Sequence, residues 1–454
     1  MFFSRRKFLR TGVAGAAALI LAGQKRLLAD AAGGNKAPEG NWVPGDAPNA
    51  PVGTARGIYP GRVTFARDPA AARWDGRTGR WWDPAGIDEG ALQGMFSKSL
   101  RGLTGASSDQ DAWKKLFVSF NGGRGRGMEG YRPGETVAIK INVNNTLAYD
   151  DVANHIDQSP QATRAILRQL TGPGGVAQKD ILVYDASVGW RVRALPDRIY
   201  APLHAEFPEV RWMDGQGMNG REKAEWVDGS ISYSSPETEL GTMLPRQIVD
   251  ATYLINFALL KGHEMSGVTL CGKNHFGSIR FPQKDHPKYV TPMNRPADGY
   301  SAYVDLMGSR NLGAKTMLYI VDGLYGMMTN VGDPRPDRDR WKNLFNGEWS
   351  SCYFMSQDPV AIDSVCLDFL RSEFPRDLGF SGNRAFPLGA IHNCDNYLHE
   401  AALGTNPRLG PYKPNGIVIG SQGVHEHWNN ATDRKYSRNL SPEGKGIELF
   451  TVTA

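Results

Sequence analysis

Cysteine is scarce in this chain, with four in 454 residues, at Cys271, Cys352, Cys366 and Cys394. None stands in a C-x-x-C pair, so the thiolate groupings that hold an iron–sulfur cluster or a structural zinc ion are missing. A disulfide remains permitted in an oxidising compartment. Long apolar runs are missing too. Residues 12–22 form a short one, well below the ~20 residues of a membrane-spanning helix, which argues against a stable membrane span. Charge of one sign is not in excess once the N-terminus is set aside. The formal net charge is +5, and residues 1–31 account for it, with Arg5, Arg6, Lys7, Arg10, Lys25 and Arg26 set against Asp30. The remainder is near neutral, so bulk charge gives no case for a nucleic-acid or anionic-membrane partner. Residues 122–127, GGRGRG, look like a phosphate-cradling loop. No buried strand precedes them and no helix opens on them, which removes the dinucleotide-binding reading.

What is present begins with an export signal. Ser4-Arg5-Arg6-Lys7-Phe8-Leu9-Arg10, a short apolar segment and the small residues Ala29-Asp30-Ala31 have the three-part layout of a signal peptide. The paired arginines resemble a twin-arginine signal. The expectation is a periplasmic protein whose segment 1–31 is removed and whose partner in transit is the twin-arginine export machinery. That resemblance implies export in the folded state, a route suited to proteins that receive a cofactor first. The residues name no cofactor, although a divalent metal is permitted.

Residues 32–130 read as an N-terminal extension. It holds a turn at 57–61 feeding a strand, a Trp-rich loop with Trp74, Trp81 and Trp82, and helical spacing over 91–103 and 111–120. The tryptophans read better as loop-packing anchors than as a sugar-binding platform. An α/β core follows over 131–375, expected as a mostly parallel sheet flanked by helices. Strands are predicted at 136–142, 181–184, 251–260 and 315–321. Helices open at Ser159-Pro160 and Asp358-Pro359, where a capping side chain precedes a proline suited to the first turn. Residues 188–244 read as a polar insertion with a hairpin about Ile231. Residues 376–454 form a C-terminal extension packing on the core, with a last strand at 416–419.

The runs VAIKINVN (137–144), SPQATRAIL (159–167), ILVYDAS (181–187), LINFALLKGHEMSGVTLCGKNHFG (254–277), IVDGLYG (320–326) and DPVAIDSVCLDFL (358–370) resemble the domain of unknown function 362 family. The resemblance covers roughly residues 130–375 and implies the fold and the place of a site, without a reaction. Some members carry a ferredoxin-like cluster motif. This chain lacks its cysteines, so no direct electron-transfer role is implied.

The candidate site gathers at predicted strand ends, where parallel sheets collect their ligands. The apolar run is expected to break at Lys261-Gly262-His263 into a loop, followed by Lys273-Asn274-His275. Lys140, Lys261, His263 and Lys273 are the catalytic candidates. Asn142, Asn274, Asp185, Ser187 and Asp322 are the substrate-binding candidates. Ammonium groups with few acids favour a small anionic ligand, a carboxylate or a phosphate. Clustered lysines depress one another's basicity and can supply a base or nucleophile, and an imidazole suits proton transfer near neutrality. His263 with Glu264 or Asp322 could instead hold a divalent metal. Asp358 reads as a helix cap. His425-Glu426-His427, and His392 with Asp395 and His399, read as incidental or packing groups. The reading is an exported enzyme acting on a small anion. The alternatives are a non-catalytic ligand- or cofactor-binding or assembly protein and, by fold analogy alone, a lactate racemase-like isomerase.

Overall fold

The computed structural model of the chain describes residues 46–187, 194–236, 238, 240–263, 266–280, 300–330, 332–374 and 394–453. The export signal, Glu264 and His392 lie outside the described residues. Among those described, no helix is long and apolar enough to cross a membrane.

One sheet of ten strands organises the molecule. In chain order these are β1 (Arg62–Arg67), β2 (Val137–Lys140), β3 (Ile181–Asp185), β4 (Arg211–Asp214), β5 (Glu222–Lys223), β6 (Tyr253–His263), β7 (Gly267–Thr269), β8 (Thr316–Met327), β9 (Cys352–Ser356) and β10 (Glu448–Thr453). Across the sheet they lie β10-β1-β9-β8-β6-β2-β3-β4-β5, with β7 returning antiparallel along the end of β6. Every pair from β8 to β5 is parallel, whereas β9 runs against both its neighbours. Strands β2, β3, β6 and β8 are buried along their whole length. That explains their near-continuous apolar sequences, because a parallel sheet is covered on both faces.

Alternation sends successive side chains to opposite cores. Ile139, Ile255, Phe257 and Ile320 pack with helices α1 (Glu89–Thr104), α2 (Asp109–Gly122), α3 (Pro160–Thr171) and α4 (Asp197–Glu206) through Phe96, Trp113, Ile166 and Leu203. Ala138, Leu254, Ala258 and Val321 share the other core with α6 (Ala302–Gly308), α7 (Pro359–Glu373) and α8 (Asp395–Leu403), and with the single-turn α5 (Cys271–Asn274). The caps are those the sequence predicts. Ser159 accepts from the Ala162 N–H at 3.0 Å. Asp358 accepts from Val360 and Ala361 at 3.0 and 2.9 Å. Such a cap contributes about 1 kcal/mol. The second oxygen of Asp358 takes the N–H groups of Arg56 and Val424, tying both ends of the described chain to α7.

The order of the strands fixes where a ligand can sit. From β2 the chain crosses through α3 to β3 and through α4 to β4, moving one way along the sheet. From β6 it passes α5 and α6 on the opposite face and reaches β8 on the other side. Strands β2 and β6 are neighbours, so the order reverses between them, and the crevice beyond their C-terminal ends is the switch point of this fold.

Several expectations change. Residues 194–223 are no insertion, because they supply α4, β4 and β5 and extend the parallel sheet. Pro202 within α4 and the short, polar-flanked β4 disguised them. The hairpin about Ile231 is reduced to a two-residue pairing of Trp226–Val227 with Leu244–Pro245. Residues 417–419 follow a 3-10 turn, and the last strand is β10, which joins β1. Strand β6 runs through Lys261 and His263 because β7 pairs with them. Trp81 is buried, and its indole N–H donates to the carbonyls of Asn154 and His155, the packing role expected of it.

Candidate functional site

At the switch point the strand ends enclose a cavity of about 30 Å³, room for roughly two water molecules. Lys140 closes β2, Asn142 follows it, Asp185 closes β3, His263 closes β6, and Lys273 and Asn274 come from α5. Asn144, Ser187, Thr269, Phe276 and Gly277 complete the wall. Asp363 of α7 holds α5 in place, accepting from the N–H groups of Cys271 and Gly272, both at 2.8 Å, and from the Tyr397 hydroxyl at 3.1 Å. Burial pushes the Asp363 carboxyl up to about 6, with those donors pulling the other way.

Lys140 is fully buried. Its Nζ donates to the Ile141 carbonyl at 2.6 Å and to Asn274 Oδ1 at 3.3 Å, and lies 3.2 Å from Asp185 Oδ2. The same carboxylate oxygen accepts from the Val143 N–H at 3.1 Å. Gly277 lets the backbone pass against this pair. A Cβ there would stand 2.5 Å from Lys140 Nζ and 2.6 Å from Asp185 Oδ1.

Behind the cavity runs a series of amides. Asn142 Nδ2 donates to Asn274 Oδ1 at 3.1 Å, and Asn274 Nδ2 donates to the Lys140 carbonyl at 3.2 Å and to Asn256 Oδ1 at 2.8 Å. Asn256 Nδ2 reaches the Cys271 carbonyl at 2.9 Å and His275 Nε2 at 3.0 Å. Burial, then the nearby Lys140 charge, bring the His275 imidazole down to about 3, so it is neutral. The sequence places His275 in the cluster with Lys273 and Asn274 without a role of its own, and it does not single out Asn256 or Thr269 for the site. Asn256 carried a usable signal, since an amide inside an eleven-residue buried strand needs buried partners.

Of the expected site residues, Lys140, Asn142, Asp185, Ser187, His263, Lys273 and Asn274 line this one cavity. Lys261 does not. Its Nζ donates to Asn142 Oδ1 at 3.2 Å, Ile156 O at 3.3 Å and Asn330 O at 3.5 Å, bracing the wall from behind. Asp322 is not brought to the cavity either. Its position in β8 shares a face with Leu318, Ile320 and Leu324 of the α1–α4 core, whereas Lys140 shares a face with Ala138 of the other core. Asp322 lines a separate pocket with Asp157 and Trp81 and accepts from Gln158 Nε2 at 3.0 Å.

His263 Nδ1 accepts from the Ser266 N–H at 3.1 Å, which places the proton of the neutral ring on Nε2. Of the expected metal ligands, Asp322 faces the other core and Glu264 is outside the described residues; among those described, no three His, Cys, Asp or Glu side chains are placed to hold a metal ion. His425 and His427 do stand close, with ring centroids 4.9 Å apart. His425 nevertheless engages Ser364 at 2.8 Å and His427 engages Asp368 at 2.7 Å. His399 meets Asp46 at 2.9 Å. All four cysteines are buried, and Cys271, Cys352 and Cys366 are free thiols.

The cavity wall carries Lys140 and Lys273 against Asp185, an excess of positive charge with Lys261 close behind. No curated protein matches the chain, and no solved structure matches it. Residues 137–368, just over half of the chain, match the family model described as Domain of unknown function (DUF362). The match opens at the first residue of β2, ends within α7 and takes in the whole cavity wall together with Asp363, the residue that holds α5. The chain belongs to the DUF362 family.

Proposed function

We propose that the protein is an enzyme that acts on a small anionic substrate at this switch-point cavity. The observation that carries the reading is the gathering of Lys140, Asp185, His263 and Lys273 from four separate elements around one space. In this reading Lys273 attracts the anionic group, and Lys140, held by Asp185 and Asn274, presents a fixed positive charge in a low-dielectric wall, where such a charge acts most strongly. Asn142, Asn274 and Ser187 shape the wall. His263 enters with its proton on Nε2 and directs that N–H, as a hydrogen-bond donor, at the negative charge that develops on the substrate. Lys261 acts through Asn142 as a positioning residue.

The test is a panel of small carboxylates and phosphate esters incubated with the purified chain, with products followed by NMR. Turnover that survives in the wild type and is lost in His263→Gln, with binding retained, supports the enzyme reading. Tight binding without turnover of any panel member replaces it with a non-catalytic binding protein.

We further propose that the protein is exported to the periplasm through its twin-arginine segment. Replacing Arg5 and Arg6 by lysine should leave full-length precursor in the cytoplasm. Unimpaired export of that variant contradicts the proposal.

A further inference from the structure

The polar atoms of the cavity wall are largely spent on one another. Asn142 and Asn274 bond through both ends of their amides, and Ser187 donates to the Phe276 carbonyl. Two buried atoms stand apart. Among the described residues, Asp185 Oδ1 and Thr269 Oγ1 have no hydrogen-bond partner. Asp185 is 2% exposed and Thr269 4% exposed, and both residues face the cavity. Lys140 Nζ and Asp185 Oδ1 both lie against the Gly277 backbone, since a Cβ there would come within 2.6 Å of each, and all three residues line the cavity, so an ammonium donor and a carboxylate acceptor share one stretch of its wall.

A bare anion does not answer this arrangement. Carboxylate or phosphate oxygens can accept from Lys273 and are drawn by the charge of Lys140, but an acceptor placed against Asp185 Oδ1 meets like charge, and a buried charged oxygen left without a donor is costly. Only a ligand that both accepts and donates satisfies the wall. Thr269 Oγ1, which does both, fits the same demand.

We infer that the substrate of this site is a small organic anion carrying a hydrogen-bond donor, a hydroxyl or an ammonium group, on the carbon next to its carboxylate or phosphate. The inference rests on the anion-site reading above and deepens it. The donor is directed to Asp185 Oδ1 and Thr269 Oγ1, and the anionic group is directed to Lys273 and Lys140. Asp185 is then the residue that distinguishes a donor-bearing anion from a plain one, and Thr269 assists it.

Matched probes test this. Acetate, glycolate and glycine share a carboxylate and differ in bearing no donor, a hydroxyl or an ammonium group beside it. Their dissociation constants are measured by calorimetry on the wild-type chain, on Asp185→Asn and on Thr269→Val. The Thr269→Val variant removes one hydroxyl without touching the ion pair, and it serves if Asp185→Asn fails to fold. Glycolate or glycine should bind at least tenfold more tightly than acetate, and whichever is preferred names the donor. The margin should shrink severalfold in Thr269→Val and vanish in Asp185→Asn. Equal affinity for all three probes in the wild type overturns the inference and leaves the anion site standing, with water as the partner of Asp185 Oδ1. A margin unchanged in both variants also overturns it. Failure of every probe to bind overturns this inference together with the reading it rests on.

Discussion

Lys140 Nζ and Asp185 Oδ2 meet at 3.2 Å at the ends of two paired parallel strands, with both side chains out of solvent. A buried ion pair is weak evidence of net stabilisation, yet removing one partner strands the other charge. Lys140→Met and Asp185→Leu should therefore each lower unfolding stability by about 3–5 kcal/mol. The double variant should recover most of that loss. Urea midpoints with an unchanged m-value provide the check. Additive losses in the double variant would mean that the two groups do not act as a pair.

Asp322 sets a pH dependence. Burial pushes its carboxyl up to about 7, against the pull of donors from Leu324 and Gln158. The folded state therefore binds a proton that the unfolded chain has already released between pH ~4 and ~7. Stability falls as pH rises through that window and levels off above it, with a ceiling of about 4 kcal/mol from this group. Asp358 and Asp363, each pushed up to about 6 by burial, add in the same direction. Asp322→Asn should be more stable than the wild type at pH 8 and similar to it at pH 4. Denaturation midpoints at the two values give the answer.

Asp363→Ala removes the acceptor for the N–H groups of Cys271 and Gly272 and should cost about 2–3 kcal/mol. Its local signature is faster hydrogen exchange at those two amides. Because α5 carries Lys273 and Asn274, anion binding should weaken along with amide protection.

Asn256→Leu keeps the branched outline of the side chain and removes every hydrogen bond it makes. Asn274 Nδ2 and the Cys271 carbonyl each lose a partner inside the core. A loss of about 2–4 kcal/mol is expected, read from the thermal unfolding midpoint. A shift within error would mean that the amide series does not organise the site.

The parts legible in the sequence are those that local pattern decides. The apolar runs of β2, β3 and β6 and the capped starts of α3 and α7 announce themselves. Lys140, Asn142 and Asp185 follow because polar residues at the end of a buried strand stand out. What failed was anything set by which strand pairs with which. Lys261 and His263 look like a loop until β7 is seen to cover their backbone. Asp322 ends an apolar run just as Asp185 does, but the face it takes depends on how β8 lies in the sheet, and it turns to the other core. Strand β10 reaches β1 across almost the whole length of the chain, a pairing no local pattern records.

The central claim is that the space between the ends of β2, β3 and β6 receives a small anion. Diffraction from crystals soaked in glycolate tests it most directly. The expected result is glycolate in the cavity, within hydrogen-bond distance of Lys273 Nζ and Asp185 Oδ1, and its loss in Gly277→Ala, whose added methyl would come within 2.6 Å of Lys140 Nζ and Asp185 Oδ1 and force that pair to move. Glycolate bound elsewhere, with this space unchanged from unsoaked crystals, would contradict the account.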